Sequence, residues 1–218
     1  MRRNEDIQKD VQAALKWEPT LKVSEIGVIV SDGIVTLTGT VDSYSKKTEA
    51  EDAAKSVAGV KAVVEEIKIK YNGTGKKDDA QIAADILSAF TWNWEFPSEK
   101  VKVKVEAGWV TLEGELNWNY QRESAKNSVK NIAGVLGVTN QIKISHSTDD
   151  EIEKRDIEHA LERNWAVDDR NIKVHVTGSQ VTLNGKVHSL YQKDEAGRIA
   201  WKAPGVLTVA NDLVVEYN

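Results

Sequence analysis

The sequence predicts an α+β protein of three tandem αββαβ units, each a small three-stranded mixed sheet with two helices on one face. Three observations carry this. Gly33-Ile-Val-Thr-Leu-Thr-Gly39 recurs as Gly108-Trp-Val-Thr-Leu-Glu-Gly114 and as Ser179-Gln-Val-Thr-Leu-Asn-Gly185, at offsets of 75 and 71 residues. The same offsets align Asp10 with Asp85 and Asp156, Gly59 with Gly134 and Gly205, and Ala50 with Ala125 and Ala196. Within each copy the apolar period alternates between helix-like and strand-like stretches.

The elements follow in order. Ile7, Val11, Ala14 and Leu15 recur at helical spacing, as do Ile82, Ile86, Ala89 and Phe90, and then Ile157, Ala160 and Leu161. Period-two runs come next: Ile26-Val28-Val30, Val101-Val103-Val105 and Ile172-Val174-Val176. Ser31-Asp-Gly33, Glu106-Ala-Gly108 and Thr177-Gly-Ser179 read as tight turns, the third shifted because its glycine comes one place earlier. A second strand carries Val35, Leu37 and Val41, with Val110, Leu112, Leu116 and Val181, Leu183, Val187 as counterparts. An alanine-rich second helix follows, and Gly59, Gly134 and Gly205 are expected just past its end. Ile67 and Ile69, Ile142 and Ile144, Leu213 and Val215 mark the last strand. The units are placed at residues 1–72, 73–147 and 148–218.

These residues resemble the BON domain, named for bacterial osmotically induced and nodulation proteins. The Asp32-Gly-Ile-Val-Thr-Leu-Thr-Gly39 motif, its two relatives and the downstream Gly59-Val60, Gly134-Val135 and Gly205-Val206 carry the likeness over nearly the whole chain. The resemblance implies a transport- or membrane-associated phospholipid-binding module, often in osmotic- or envelope-stress proteins. It brings no catalytic residues and no cofactor.

Composition narrows the function classes. With 34 acidic against 29 basic residues the net charge is −5, which argues against a nucleic-acid partner. There is no cysteine, so thiolate chemistry and disulfides are excluded. No enzyme activity is expected. Gly73-Thr-Gly-Lys-Lys77 suggests a phosphate loop but lacks its first glycine and the hydroxyl after lysine, so it reads as a linker. His146, His159, His175 and His188 recur in no other copy; His175 and His188 share the polar sheet face, yet no metal site is expected. Asp10, Asp85 and Asp156 read as solvated or helix-stabilising charge. The opening residues lack the apolar stretch of a secretory signal, which reads as cytoplasmic; removal of a leader would make the protein periplasmic.

Seven tryptophans against two phenylalanines stand out. Trp17, Trp92, Trp94 and Trp165 all fall where the first helix of a copy ends. Two readings stay open: packing lids on small cores, or interfacial anchors at a phospholipid surface. The candidate lipid-binding set is Trp92, Trp94, Phe96, Trp17 and Trp165, with the middle copy foremost. The three copies carry net charges of −1, 0 and −4, which makes the last the poorest match to an anionic surface. Ile34 and Trp109 lie on the helix-free sheet face with Lys102 and Lys104. That set defines the alternative, a protein-interaction scaffold or self-association surface.

Overall fold

A computed structural model of the chain describes residues 2–71, 77–145, 154–164 and 171–216. Each repeat begins with an amphipathic helix: α1 (Asn4–Trp17), α3 (Asp79–Trp92) and α5 (Lys154–Glu162). A hairpin follows, formed by β1 (Ile26–Ser31) with β2 (Ile34–Val41), β4 (Val101–Glu106) with β5 (Trp109–Leu116), and β8 (Ile172–Thr177) with β9 (Gln180–Val187). The second helices are α2 (Tyr44–Lys55), α4 (Asn119–Lys130) and α6 (Leu190–Ala200). The last strand is β3 (Ala62–Ile69) in the first copy and β10 (Thr208–Val215) in the third. In the second copy it is split into β6 (Gly137–Asn140) and β7 (Lys143–Ile144), both parallel to β5.

The hairpin strand pairs are antiparallel, and the third strand adds beside the second, which is therefore central. The first helix of each copy lies over the first strand, while α4 and α6 lie over the third. The cores match the expected apolar periods. In the second copy Ile82, Ile86 and Phe90 of α3 bury against Val101, Val110, Leu112 and Leu116, with Ala125 and Val129 of α4 closing the layer. Ile157, Leu161, Val174, Val181, Leu183, Ala196 and Leu213 do the same in the third.

The repeated glycines have steric causes. Asp32 and Gly33 take φ of 53° and 81°, and Ala107 and Gly108 take 50° and 81°, the left-handed pair a two-residue hairpin turn requires. In the third copy only Gly178 is left-handed, at 55°, so its turn is of a different type, as its shifted glycine predicts. Gly39, Gly114 and Gly185 meet a harder limit. A Cβ at these positions would stand 2.0, 2.0 and 1.8 Å from the carbonyl oxygens of Glu25, Lys100 and Asn171. The glycines expected just past the second helix lie further on: the helices end at Lys55, Lys130 and Ala200, and an added turn precedes Gly59, Gly134 and Gly205.

The chain forms two compact units. One comprises residues 1–39, 49–67 and 148–218, the other residues 40–48 and 68–147. Within the first, Lys55 of α2 lies 3.7 Å from Asp194 of α6. Asp52, one turn back, feels both Asp194 and Arg198, and burial holds its carboxyl above the ordinary range. Within the second, Tyr44 packs on the core around Phe90, and the Tyr71 hydroxyl donates to the Val135 carbonyl.

Candidate functional site

The first helix of the second copy delivers the site. Asp78 opens α3 with a capping box, accepting from the Gln81 backbone at 2.8 Å while Gln81 accepts from the Asp78 backbone at 3.1 Å. Three turns on, Phe90 is buried. The helix ends at Trp92, and Asn93 is extended, with φ −95° and ψ 107°. In extended backbone, alternate side chains point to opposite sides. Asn93 therefore turns inward, and Trp92 and Trp94 turn outward, 84 % and 91 % exposed.

The inward side chain is held firmly. The Asn93 side-chain amide donates to the Ser124 hydroxyl at 2.9 Å and to the Ser128 hydroxyl at 2.8 Å, both on α4. The Asn93 side-chain oxygen accepts from the Glu95 backbone at 2.9 Å, and Ser124 donates to the Glu95 carboxylate. Phe96 then returns to the core, 4 % exposed, with its ring edge-on to Phe90 at 5.0 Å and 89°. The five residues between the two phenylalanines are thus pinned at both ends by core rings and in the middle by a polar network. Two indoles stand in water on a braced loop. Ala89, Trp92, Asn93, Trp94, Glu95 and Ser128 line a shallow depression beneath them.

Exposure removes the packing-lid reading for three of the four tryptophans. Trp17, Trp92 and Trp94 are not packing lids: Trp17, at the end of α1, is 85 % exposed. Trp165 lies outside the described residues. Phe96 is corrected. It is a core residue that anchors the loop from below, and it is not presented to any surface.

The second candidate set divides. Ile34 is 43 % exposed and Trp109 57 % exposed, both on the helix-free face. The Trp109 ring lies across Gly137, its partner on β6, so closely that a Cβ there would stand 2.2 Å from the ring. Lys102 and Lys104 sit on β4, an edge strand. Lys102 stands opposite Glu113 in the hairpin register, and Lys104 pairs with Glu106 at 3.1 Å.

The remaining candidates resolve as follows. Asp10 pairs with Arg2, and Asp85 pairs with Lys77, the residue 75 places on from Arg2. In the first two copies the recurring aspartate is therefore a strap holding the approach to the first helix. His175 and His188 do not meet: His188 is six residues along from Thr182, the partner of His175, roughly 20 Å at the rise of a strand. The glycine-rich stretch 73–76 and His146 lie outside the described residues. Among the described residues no helix is long and apolar enough to cross a membrane.

The network beneath the indoles is what sequence reasoning missed. One signal was available. Asn93 aligns with Asn164 and Ser124 with Glu195, and in the third copy the Asn164 amide donates to the Glu195 carboxylate at 3.1 Å. The tie between the end of the first helix and the second helix is thus repeated with altered chemistry.

Three consecutive mixed-sheet units of this order define a tandem αββαβ repeat protein. The BON domain matches residues 3–71, 78–145 and 148–217, and the chain belongs to the BON domain family. It is 30 % identical over 141 residues to osmotically-inducible protein Y of Escherichia coli K12, covering 63 % of this chain and 70 % of that one. It is also 32 % identical over 127 residues to a protein of Anaplasma centrale described as "Uncharacterized protein in gshII 5'region", covering 57 % of this chain and 84 % of that one. Among solved structures it matches the C-terminal domain of CdsD, a structural protein of the type III secretion system of Chlamydia trachomatis. That match has 15 % identity and a TM-score of 0.27 over 99 % of this chain and 100 % of that one, a likeness too slight to carry inference.

Proposed function

We propose that this chain is a non-enzymatic binding protein that associates peripherally with phospholipid surfaces through the Trp92–Trp94 loop, in an osmotic-stress context. The carrying observation is the braced exposure of two indoles two residues apart. An indole in water is costly and an indole at the headgroup boundary is favoured. Removing each from water contributes on the order of 2–3 kcal/mol, and a loop already ordered gives up little entropy on binding. Family membership and similarity to an osmotically inducible protein support the same reading. The second repeat has nine bases and nine acids, so attraction to anionic lipid is not the main driving force.

Sedimentation with neutral and anionic vesicles, at low and physiological salt, tests this. The expected result is co-pelleting with only modest salt dependence, abolished by Trp92→Ala plus Trp94→Ala. Binding that survives the double substitution removes the loop from the function.

One observation favours a second reading, a self-associating or protein-binding scaffold. Ile29, Ile34 and Val64 are 61 %, 43 % and 41 % exposed on the helix-free face of the first sheet. A concentration-dependent mass in lipid-free sedimentation velocity, lost in Ile29→Ser, is its test.

A further inference from the structure

Asp79, the first residue of α3, reaches across to the β4–β5 turn. Its carboxylate accepts from the backbone N–H groups of Ala107 at 2.7 Å and Gly108 at 2.9 Å. The second copy thus places an anion of its own on the two central amides of its hairpin turn.

The residue 75 places earlier is Asn4, and the first copy lacks that plug. Its turn residues Asp32 and Gly33 have nearly the same φ values as Ala107 and Gly108, so their N–H groups present the same pair of donors. Among the described residues neither amide has an acceptor. Where the carboxylate would lie there is instead a cavity of about 190 Å³, lined by Arg2, Arg3, Asn4, Asp32, Gly33 and Lys61. The start of α1 opens onto it without a side-chain cap, adding the positive end of a helix dipole.

The cations divide by role. Arg2 is part of the frame, bonded to Asp10 and to the Ala58 carbonyl at 2.8 Å. Arg3 holds Asp6 at 3.0 Å with its side chain 75 % exposed. An exposed pair of that kind is worth little and yields readily to a better acceptor. Lys61 stands beside the turn, its backbone N–H donating to the Gly33 carbonyl at 2.8 Å. Asp32 is the one opposing carboxylate on the lining.

We propose that the first repeat binds a phosphate group in this cavity, on the Asp32 and Gly33 amides, with Arg3 and Lys61 closing on its remaining oxygens. Two adjacent N–H donors and two cations ask for several acceptor oxygens on one centre, and the space exceeds the carboxylate that fills the second copy. The phosphate belongs either to a small soluble phosphomonoester or to a lipid headgroup. This inference is independent of the indole loop, so either can fail alone.

The test uses the full chain labelled with nitrogen-15 and titrated with inorganic phosphate against chloride at matched ionic strength. Saturable shifts centred on the Asp32 and Gly33 amides in the millimolar range are expected. Asn4→Asp installs the second copy's plug; its two amides should already be displaced, and its phosphate affinity should fall by about tenfold or more through loss of charge-assisted bonds. Asn4→Ala should keep the response and controls for folding. No shift at Asp32 and Gly33, or an undiminished one in Asn4→Asp, overturns the proposal. Glycerol phosphate and phosphatidic acid vesicles then separate the sources. A response to the first assigns a small phosphomonoester, and a response to vesicles alone assigns a headgroup. The shifts should persist with Trp92 and Trp94 both replaced by alanine.

Discussion

The Asn93 side-chain amide donates to the Ser128 hydroxyl on the neighbouring helix at 2.8 Å, and this contact keeps Trp92 and Trp94 facing outward. Asn93→Ala would remove the donor that the Ser124 and Ser128 hydroxyls accept from, leaving each only the bond it donates, while both indoles stay in the chain. The expected loss is about 1–2 kcal/mol of stability, measured by urea unfolding. Vesicle affinity should fall too, although no lipid-facing residue has changed. Unaltered affinity would mean that the brace is irrelevant to binding.

Phe96 belongs to the core, as its edge-on contact with Phe90 shows. Phe96→Ala should cost about 3–5 kcal/mol, the range for emptying a buried aromatic site. Calorimetry checks this. A substitution that leaves the melting temperature unchanged would return Phe96 to the surface.

Gly114 passes so close to the Lys100 carbonyl that no side chain fits, and its φ of 141° is foreign to other residues. Gly114→Ala should destabilise by about 3 kcal/mol or more, from strain and collision together. Circular dichroism melts check this, and Gly178→Ala, at an αL φ of 55° where a Cβ meets open space, should cost far less.

Asp52 carries a carboxyl raised above its ordinary value of 3.8, chiefly by burial. A raised folded value means the folded state holds its proton more tightly. Stability from this group is present below pH 3.8 and lost as pH rises through the folded value. Asp52→Asn should therefore be more stable than the parent at neutral pH, and the difference should vanish below the ordinary value. Denaturation at the two pH extremes measures it, and an advantage that persists in acid contradicts the account.

Much of this architecture was legible from residue order. Repeat offsets located the hairpins, and the period-two runs ending in Val-Thr-Leu identified the inward strand face. What escaped notice sits where no period operates. Phe96 looked like part of an aromatic loop because nothing in Trp94-Glu-Phe96 reveals that the chain turns back to the core there. The second helix stops before the glycine that the sequence marks as its end, because a further turn separates Lys55 from Gly59. Asn93 and Asn164 stand at equivalent places 71 residues apart, but that both reach the second helix is a fact of packing. The contrast between Asn4 and Asp79 was likewise visible, while the amides that Asp79 binds were not.

The most direct measurement is quenching of tryptophan fluorescence by vesicles whose lipids are brominated along the acyl chains. The parent protein should shift to the blue and be quenched, and Trp92→Phe plus Trp94→Phe should lose most of both effects while keeping its fold. Quenching that is equal in the two proteins, or absent from the parent, would contradict insertion of this loop.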